Sequence, residues 1–366
     1  MKKIRVYLQY PWRFFPDSPY YKYLLENIPK NIEYLNTEKQ KGVITNSGKF
    51  LFSKHLKWKI REMIYLFKIS MINAHFTKSK KDYDLIHCAH CLSKNKDKPW
   101  VADFEGIWQF YVGNKNYSLK EKIKKILLSK ECKKIIAWTI NIKESILKEF
   151  PEIKNKIEVV YPAIPMPKIK RKKHNNINLL FVARYFHGKG GLHALEAIDQ
   201  LTKKYKNVQG IFISEIPEYI LKKYSKNPKI KFYELMSQEN LFKKIFTMSD
   251  IFVYPGYRDS FGFSILESMS FGIPIVTVNG FSRKELIEND KTGFVLDFNR
   301  IISRTEMRRH SEEIVKKIVD KTEILIKDKK LREKMSKNCI ELIKNGKFSI
   351  KERNKKLGKI YEEALK

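Results

Sequence analysis

Cysteine is scarce: Cys88, Cys91, Cys132 and Cys339 are the only four in 366 residues. So few cannot frame a disulfide-stapled fold, and a reducing cytoplasm is the expected compartment. Acidic side chains are short against basic ones, 40 to 74, which leaves a formal charge of +34. Such a balance draws a protein to nucleic acid, anionic membrane or acidic polymers, although a Lys- and Ile-rich genome also produces it. No run of about 18 apolar residues occurs, so no membrane-spanning helix is expected. The basic start has no apolar stretch before Gln9 and Pro11, so it does not read as a signal peptide. Glycine is missing from Met1 to Lys41. What is present is core material. Hydrophobic residues make up 43% and aromatics 13%, which excludes a disordered chain, and the length suits two domains.

Taken in order, Ile4–Leu8 reads as a first strand, followed by a loop dense in aromatics and proline from Tyr10 to Tyr21. Phe50–Phe76 mixes Lys54, Lys57, Lys59, Arg61 and Lys68 with apolar residues. That pattern suits either a membrane-surface helix or a helix flanking a sheet. Asp84–Cys91 reads as a strand running into a loop. Cys88-x2-Cys91 looks like half a zinc site, but no second pair completes four ligands, so no metal is expected. Pro99–Gly106 is another strand ending in a loop, with Glu105 in it. Tyr117–Lys130 reads as a basic helix and Lys134–Thr139 as a strand. Thr139 or Asn141 caps a helix through Phe150, and Ile157–Tyr161 is the next strand. Pro162, Pro165, Pro167 and a basic polar tract to Asn176 then mark a linker. The expected division is residues 1–165, 166–345 and a final helical segment, 346–366. In the second half, apolar runs at Asn178–Ala183, Val208–Ser214, Ile230–Leu235, Ile251–Tyr254, Ile273–Val278 and Phe294–Phe298 alternate with helical patterns. That alternation predicts a parallel sheet covered by helices. Three charged helices, near Glu306–Lys327, Lys329–Asn345 and Ile350–Leu365, end the chain.

Two stretches carry candidate chemistry. Asp250–Val278 reads as strand, loop, helix, strand, and ligands of open α/β sheets bind at the carboxyl ends of such strands. Asp259 stands in the loop and Glu267 two turns into the helix. Phe261-Gly262-Phe263 between them forms a helix start suited to an anion or to hydroxyls. About 70 residues earlier, Arg184 and Lys189 stand five apart on a loop whose glycines, Gly188, Gly190 and Gly191, open a helix. Two cations and a helix N-terminus make a grip for a diphosphate.

The stretch Asp259, Phe261-Gly262-Phe263, Leu266-Glu267-Ser268-Met269, Gly272-Ile273-Pro274 resembles the signature of the glycosyltransferase family 4 enzymes. Arg184-x4-Lys189-Gly190 resembles that family's Arg-x4-Lys-Gly. Three positions depart from the usual pattern: Asp259 where the family has Glu, Ala183 where Gly is common, and Glu105 where a His is common. The resemblance implies an α/β GT-B fold, two Rossmann-like domains whose parallel sheets face a central cleft. It implies a retaining glycosyltransferase of hexosyl type, with a nucleotide-diphosphate sugar as donor and a glycan, lipid-linked or other hydroxyl acceptor. Arg184 and Lys189 would hold the diphosphate, Glu267 the ribose, and Asp259 with Phe261, Gly262 and Phe263 the donor sugar. Glu105 would hold a sugar hydroxyl or take a proton from the acceptor. No cofactor beyond the donor and no metal is implied, because the two cations do what a divalent ion does elsewhere. The charge and the Phe50–Phe76 segment add a further expectation: a cytoplasmic protein, peripheral on an anionic membrane surface. Two alternatives stay open: a basic nucleic-acid-binding protein, and a catalytically degenerate family member.

Overall fold

The computed structural model describes residues 3–11, 18–37, 59–60, 62–64, 66–113, 116–298 and 311–366. The chain forms two units. Met1–Ala163 and Ile350–Lys366 make the first, and Ile164–Ser349 the second.

The first unit is built on a six-stranded sheet. Its strands are β1 (Ile4–Gln9), β2 (Ile32–Leu35), β5 (Leu85–Ala89), β7 (Trp100–Phe104), β9 (Cys132–Ala137) and β10 (Ile157–Val159). They run in the order β10-β9-β7-β5-β1-β2 and every pairing is parallel. Strands β5 and β7 are buried at every position, as befits central strands covered on both faces. The edge strand β2 alternates buried and open positions instead. Two small ladders stand beside the sheet: β3 (Ser70–Ile72) with β8 (Tyr111–Gly113), antiparallel, and β4 (Ala74–His75) with β6 (Leu92–Ser93).

Local chemistry sets the helix boundaries. Pro19 opens the helix Pro19–Glu26 at a position where its missing N–H costs nothing. The Thr139 hydroxyl accepts from the Ile142 amide at 3.2 Å and caps Ile140–Glu149. The last helix of the chain, Ile350–Ala364, packs within this unit and buries Leu357, Ile360 and Tyr361. Its Tyr361 hydroxyl lies 2.6 Å from His87 Nδ1 and 2.9 Å from the Tyr34 hydroxyl.

The reading of Phe50–Phe76 as one helix needs correction. Residues 50–58, 61 and 65 lie outside the described residues, as do 12–17 of the aromatic loop. Residues 59, 60, 62–64 and 66 are helical, but the helix stops at Lys68, where φ is +49°, and strand β3 follows. The Ile69 amide bonds Ile64 O at 2.9 Å and closes the end. An αL residue and a strand partner in β8 thus override the apolar stripe.

The second unit repeats the plan. Its strands are β11 (Ile177–Tyr185), β12 (Val208–Glu215), β13 (Ile230–Tyr233), β14 (Ile251–Val253), β15 (Ile275–Val278) and β16 (Gly293–Leu296). The order is β13-β12-β11-β14-β15-β16, again all parallel. After β11 the chain winds towards one edge, and from β14 on towards the other. The reversal opens a crevice at the carboxyl ends of β11 and β14, where doubly wound sheets take their ligands. Helices Gly191–Lys204 and Phe263–Ser270 follow these strands.

Candidate active site

Two loops meet at that crevice. After β11, residues His187–Lys189 form a 3-10 turn and Gly190, at φ +78°, starts the helix Gly191–Lys204. After β14 comes the loop from Tyr254 to Gly262. The loops are stitched together by backbone bonds: Gly256 N–H to Lys189 O at 2.9 Å and Arg258 N–H to Gly188 O at 3.1 Å. Gly190 lets them approach, since a Cβ there would sit 2.5 Å from Pro255 Cβ.

This juxtaposition brings Lys189 to Asp259. The Lys189 ammonium lies 2.9 Å from Asp259 Oδ1 and donates to Arg258 O at 2.7 Å. The Tyr254 hydroxyl donates to the other carboxylate oxygen, Oδ2, at 2.6 Å. Arg283, fully buried, donates to the Asp259 carbonyl at 2.5 Å and to the Gly256 carbonyl. Burial alone would push the Asp259 carboxyl up. Lys189, Arg283 and Tyr254 outweigh it and hold the group below the usual carboxylate range, so it is an anion near neutrality. Burial beside Asp259 pushes the Tyr254 phenol well up, which keeps it a donor.

Gly262, at φ +88°, begins the helix Phe263–Ser270, and a Cβ there would lie 3.0 Å from Asp259 Oδ2. The helix start therefore stands beside the carboxylate, and its positive end favours an anion there. The rings of Phe261 and Phe263 flank Gly262, 5.0 Å apart. Inside the helix, Glu267 is buried and accepts from the Gln238 amide at 2.5 Å. Arg184 is the penultimate residue of β11, at the carboxyl end of that strand. His193 in the first turn of Gly191–Lys204 bonds the Tyr257 hydroxyl at 2.6 Å, and burial lowers its pKa to about 4, so its imidazole is neutral.

Of the residues singled out from sequence, Arg184, Lys189, Asp259, Phe261, Gly262, Phe263 and Glu267 all belong to the second unit. Glu105 belongs to the first, just beyond β7, where its N–H donates to Gln109 Oε1 at 2.8 Å. Two residues earlier, the fully buried Asp103 accepts from the Tyr21 hydroxyl at 2.6 Å and the Trp138 indole at 3.1 Å. Burial would raise its pKa, but the facing His90 and His87, together with Tyr21, hold it at about 2. Cys88 and Cys91 are both buried, and burial pushes the Cys88 thiol well up. Among the described residues no three His, Cys, Asp or Glu side chains cluster as metal ligands would. Sequence reading passed over Tyr254, Arg283, Gln238 and His193. Tyr254 carried one faint signal, a hydroxyl closing the otherwise apolar run Ile251-Phe252-Val253.

Comparison with known proteins agrees with this architecture. Residues 165–342 match the sequence model of the family Glycosyl transferases group 1. A protein of 41.2 kDa from the cps region of Klebsiella pneumoniae, itself uncharacterized, is 28% identical over 247 residues, 64% of this chain and 61% of that protein. A UDP-Gal:alpha-D-GlcNAc-diphosphoundecaprenol alpha-1,3-galactosyltransferase of Escherichia coli is 27% identical over 214 residues, 56% of this chain and 51% of that one. Both relatives are thus matched over less than two thirds of their own length. A glycosyltransferase structure from Rickettsia africae superposes with a TM-score of 0.64 at 17% identity, covering 100% of this chain and 99% of the other. The chain has the GT-B fold, and its residues 165–342 are similar to the family Glycosyl transferases group 1.

Proposed function

We propose that the protein transfers a sugar, of hexosyl type, from a nucleotide-diphosphate donor to a hydroxyl acceptor with net retention. The observation that carries the reading is the Lys189–Asp259 pair at the crevice of the second sheet. The Asp259 carboxylate pairs with Lys189, Arg283 donates to the Asp259 main-chain carbonyl, and Arg184 is the penultimate residue of the neighbouring strand. A site with surplus positive charge at a helix start complements a diphosphate.

Breaking the glycosyl–phosphate bond leaves negative charge on the diphosphate and oxocarbenium character at the sugar. Arg184 and Lys189 stabilise the leaving group where its charge grows, and the work of a divalent ion falls to them. Asp259 and the Phe261–Phe263 backbone hold the donor sugar, and Glu267, fixed by Gln238, takes the ribose. Glu105 engages an acceptor hydroxyl. Retention is taken from the family resemblance, with attack on the face from which the leaving group departs.

The acceptor is a glycan or lipid-linked glycan presented at an anionic membrane surface, with the protein peripheral on its cytoplasmic side. Supporting this are the charge of +34 and the exposed Leu66 and Phe67 beside Lys68. The name of the Escherichia coli relative also carries a lipid diphosphate. A nucleic-acid reading rests on the charge alone and leaves the Lys189–Asp259 pair without a use.

The test is a screen of nucleotide sugars for turnover, with anomer assignment of the product, repeated with chelator and with Lys189→Ala. Turnover with a retained anomer, indifferent to chelator and slowed about a hundredfold in the variant, is expected. No turnover on any donor removes the reading. An inverted product removes retention, and loss with chelator restored by a divalent ion removes the metal-free mechanism.

A further inference from the structure

The geometry points to Tyr254 and Arg283 as positioning residues that lock Asp259 in one orientation for the donor sugar, an inference that rests on the glycosyltransferase reading above. Three donors from three separate elements converge on this one residue. Tyr254, just past β14, holds Oδ2 at 2.6 Å. Lys189, from the 3-10 turn after β11, holds Oδ1 at 2.9 Å. Arg283, from the short helix Arg283–Leu286 beyond β15, holds the main-chain carbonyl. Neither the carboxylate nor its peptide can turn without breaking one of these bonds.

Arg283 is also a clamp on the loop. Its two terminal nitrogens reach carbonyls three residues apart, those of Gly256 and Asp259, so the guanidinium bridges the loop's base. Gly256, at φ +64°, admits that approach, because a Cβ there would stand 2.7 Å from Arg283 Nη2. A lysine keeps the charge but has no planar fork to span two carbonyls. Tyr254 is set as firmly, its ring stacked on Phe252 with centroids 5.0 Å apart. A charged group that must meet a sugar within a few tenths of an ångström needs such support, because small misplacements cost large factors in rate.

The experiment uses the full chain and the donor found by the nucleotide-sugar screen. Tyr254→Phe removes one oxygen and keeps the ring, so it is the decisive variant. Its kcat is expected to fall about tenfold, with nucleoside diphosphate affinity within about twofold of wild type by calorimetry. The acid limb of kcat/KM is expected to move to higher pH, since Asp259 keeps Lys189 and Arg283 but loses a bond to its anion. Added to Asp259→Asn, Tyr254→Phe is expected to cause little further loss. Arg283→Lys is expected to lower kcat at least as much while leaving the acid limb in place, because the charge remains. Wild-type kcat in Tyr254→Phe overturns the inference. So does a fall in nucleotide affinity that matches the fall in kcat, or additive losses in the double variant. A wild type inactive on every donor removes the parent reading and this one together, whereas an active wild type with an unimpaired Tyr254→Phe removes this one alone.

Discussion

Asp259 is one methylene shorter than the Glu usual at its position, and the Tyr254 hydroxyl and Lys189 ammonium reach its carboxylate at 2.6 and 2.9 Å. Its depressed pKa is also a statement about stability. In the unfolded chain the carboxyl takes up a proton at a higher pH than in the folded one. The contribution of its ion pair with Lys189 is therefore fully present above the ordinary carboxylate range, about pH 4, and is lost as pH falls through the folded value. Asp259→Asn leaves Lys189 and Arg283 facing an amide and is expected to cost about 1–3 kcal/mol at pH 7. That difference should stay constant from pH 7 to about pH 5 and shrink only below about pH 4, when denaturant midpoints of the two proteins are measured down to pH 3. A difference independent of pH would assign the cost to packing instead of charge.

The loops after β11 and β14 behave as one element, joined by two backbone bonds and by the Lys189 ammonium. Glycine is indispensable at one point of this joint and replaceable at another. At Gly190 a side chain meets both an αL backbone and Pro255 at 2.5 Å, while at Gly188 the nearest atom to a new Cβ is Tyr185 Cβ at 3.7 Å. Gly190→Ala is expected to destabilise by about 2 kcal/mol or more and Gly188→Ala by less than about 0.5 kcal/mol, read from urea unfolding. Similar costs at the two positions would show that the loops are not in fixed contact. The strands that frame this joint were legible beforehand. Ile251-Phe252-Val253 and Leu179-Leu180-Phe181 are apolar because both faces of a parallel strand are covered. Strand β2 and the ladders β3–β8 and β4–β6 were not legible. They are two to four residues long, and their pairing partners, not their own pattern, make them strands.

Across the chain, positive charge is in excess, and exposed apolar side chains gather in one stretch. Met63, Leu66 and Phe67 are 57, 76 and 65% exposed, next to Lys59 and Lys68. Among the described residues no helix is long and apolar enough to cross a membrane. Co-sedimentation with anionic vesicles at low salt is expected, with release at high salt and weaker binding of the double variant Leu66→Ser, Phe67→Ser. Absence of wild-type binding would point to a soluble acceptor, and undiminished binding by the variant would put the contact on other surfaces.

The amino-acid order alone determined where strands and helices fall in the second unit, and it marked Arg184, Lys189, Asp259 and Glu267. These signals are local: a run of apolar residues, a glycine at a helix start, two charges at a fixed spacing. Strand order was not in that pattern, and strand order is what puts Lys189 against Asp259, 70 positions away. The same holds for Gln238 on Glu267 and for Arg283 on the 256–259 loop, since each pairing depends on which strands became neighbours. The final helix makes the point in the first unit. Its sequence reads as a charged helix, but only the folded chain shows Tyr361 meeting His87 across 274 residues. Periodicity encodes burial one element at a time, whereas a partner is chosen by the topology that brings distant elements to the same edge.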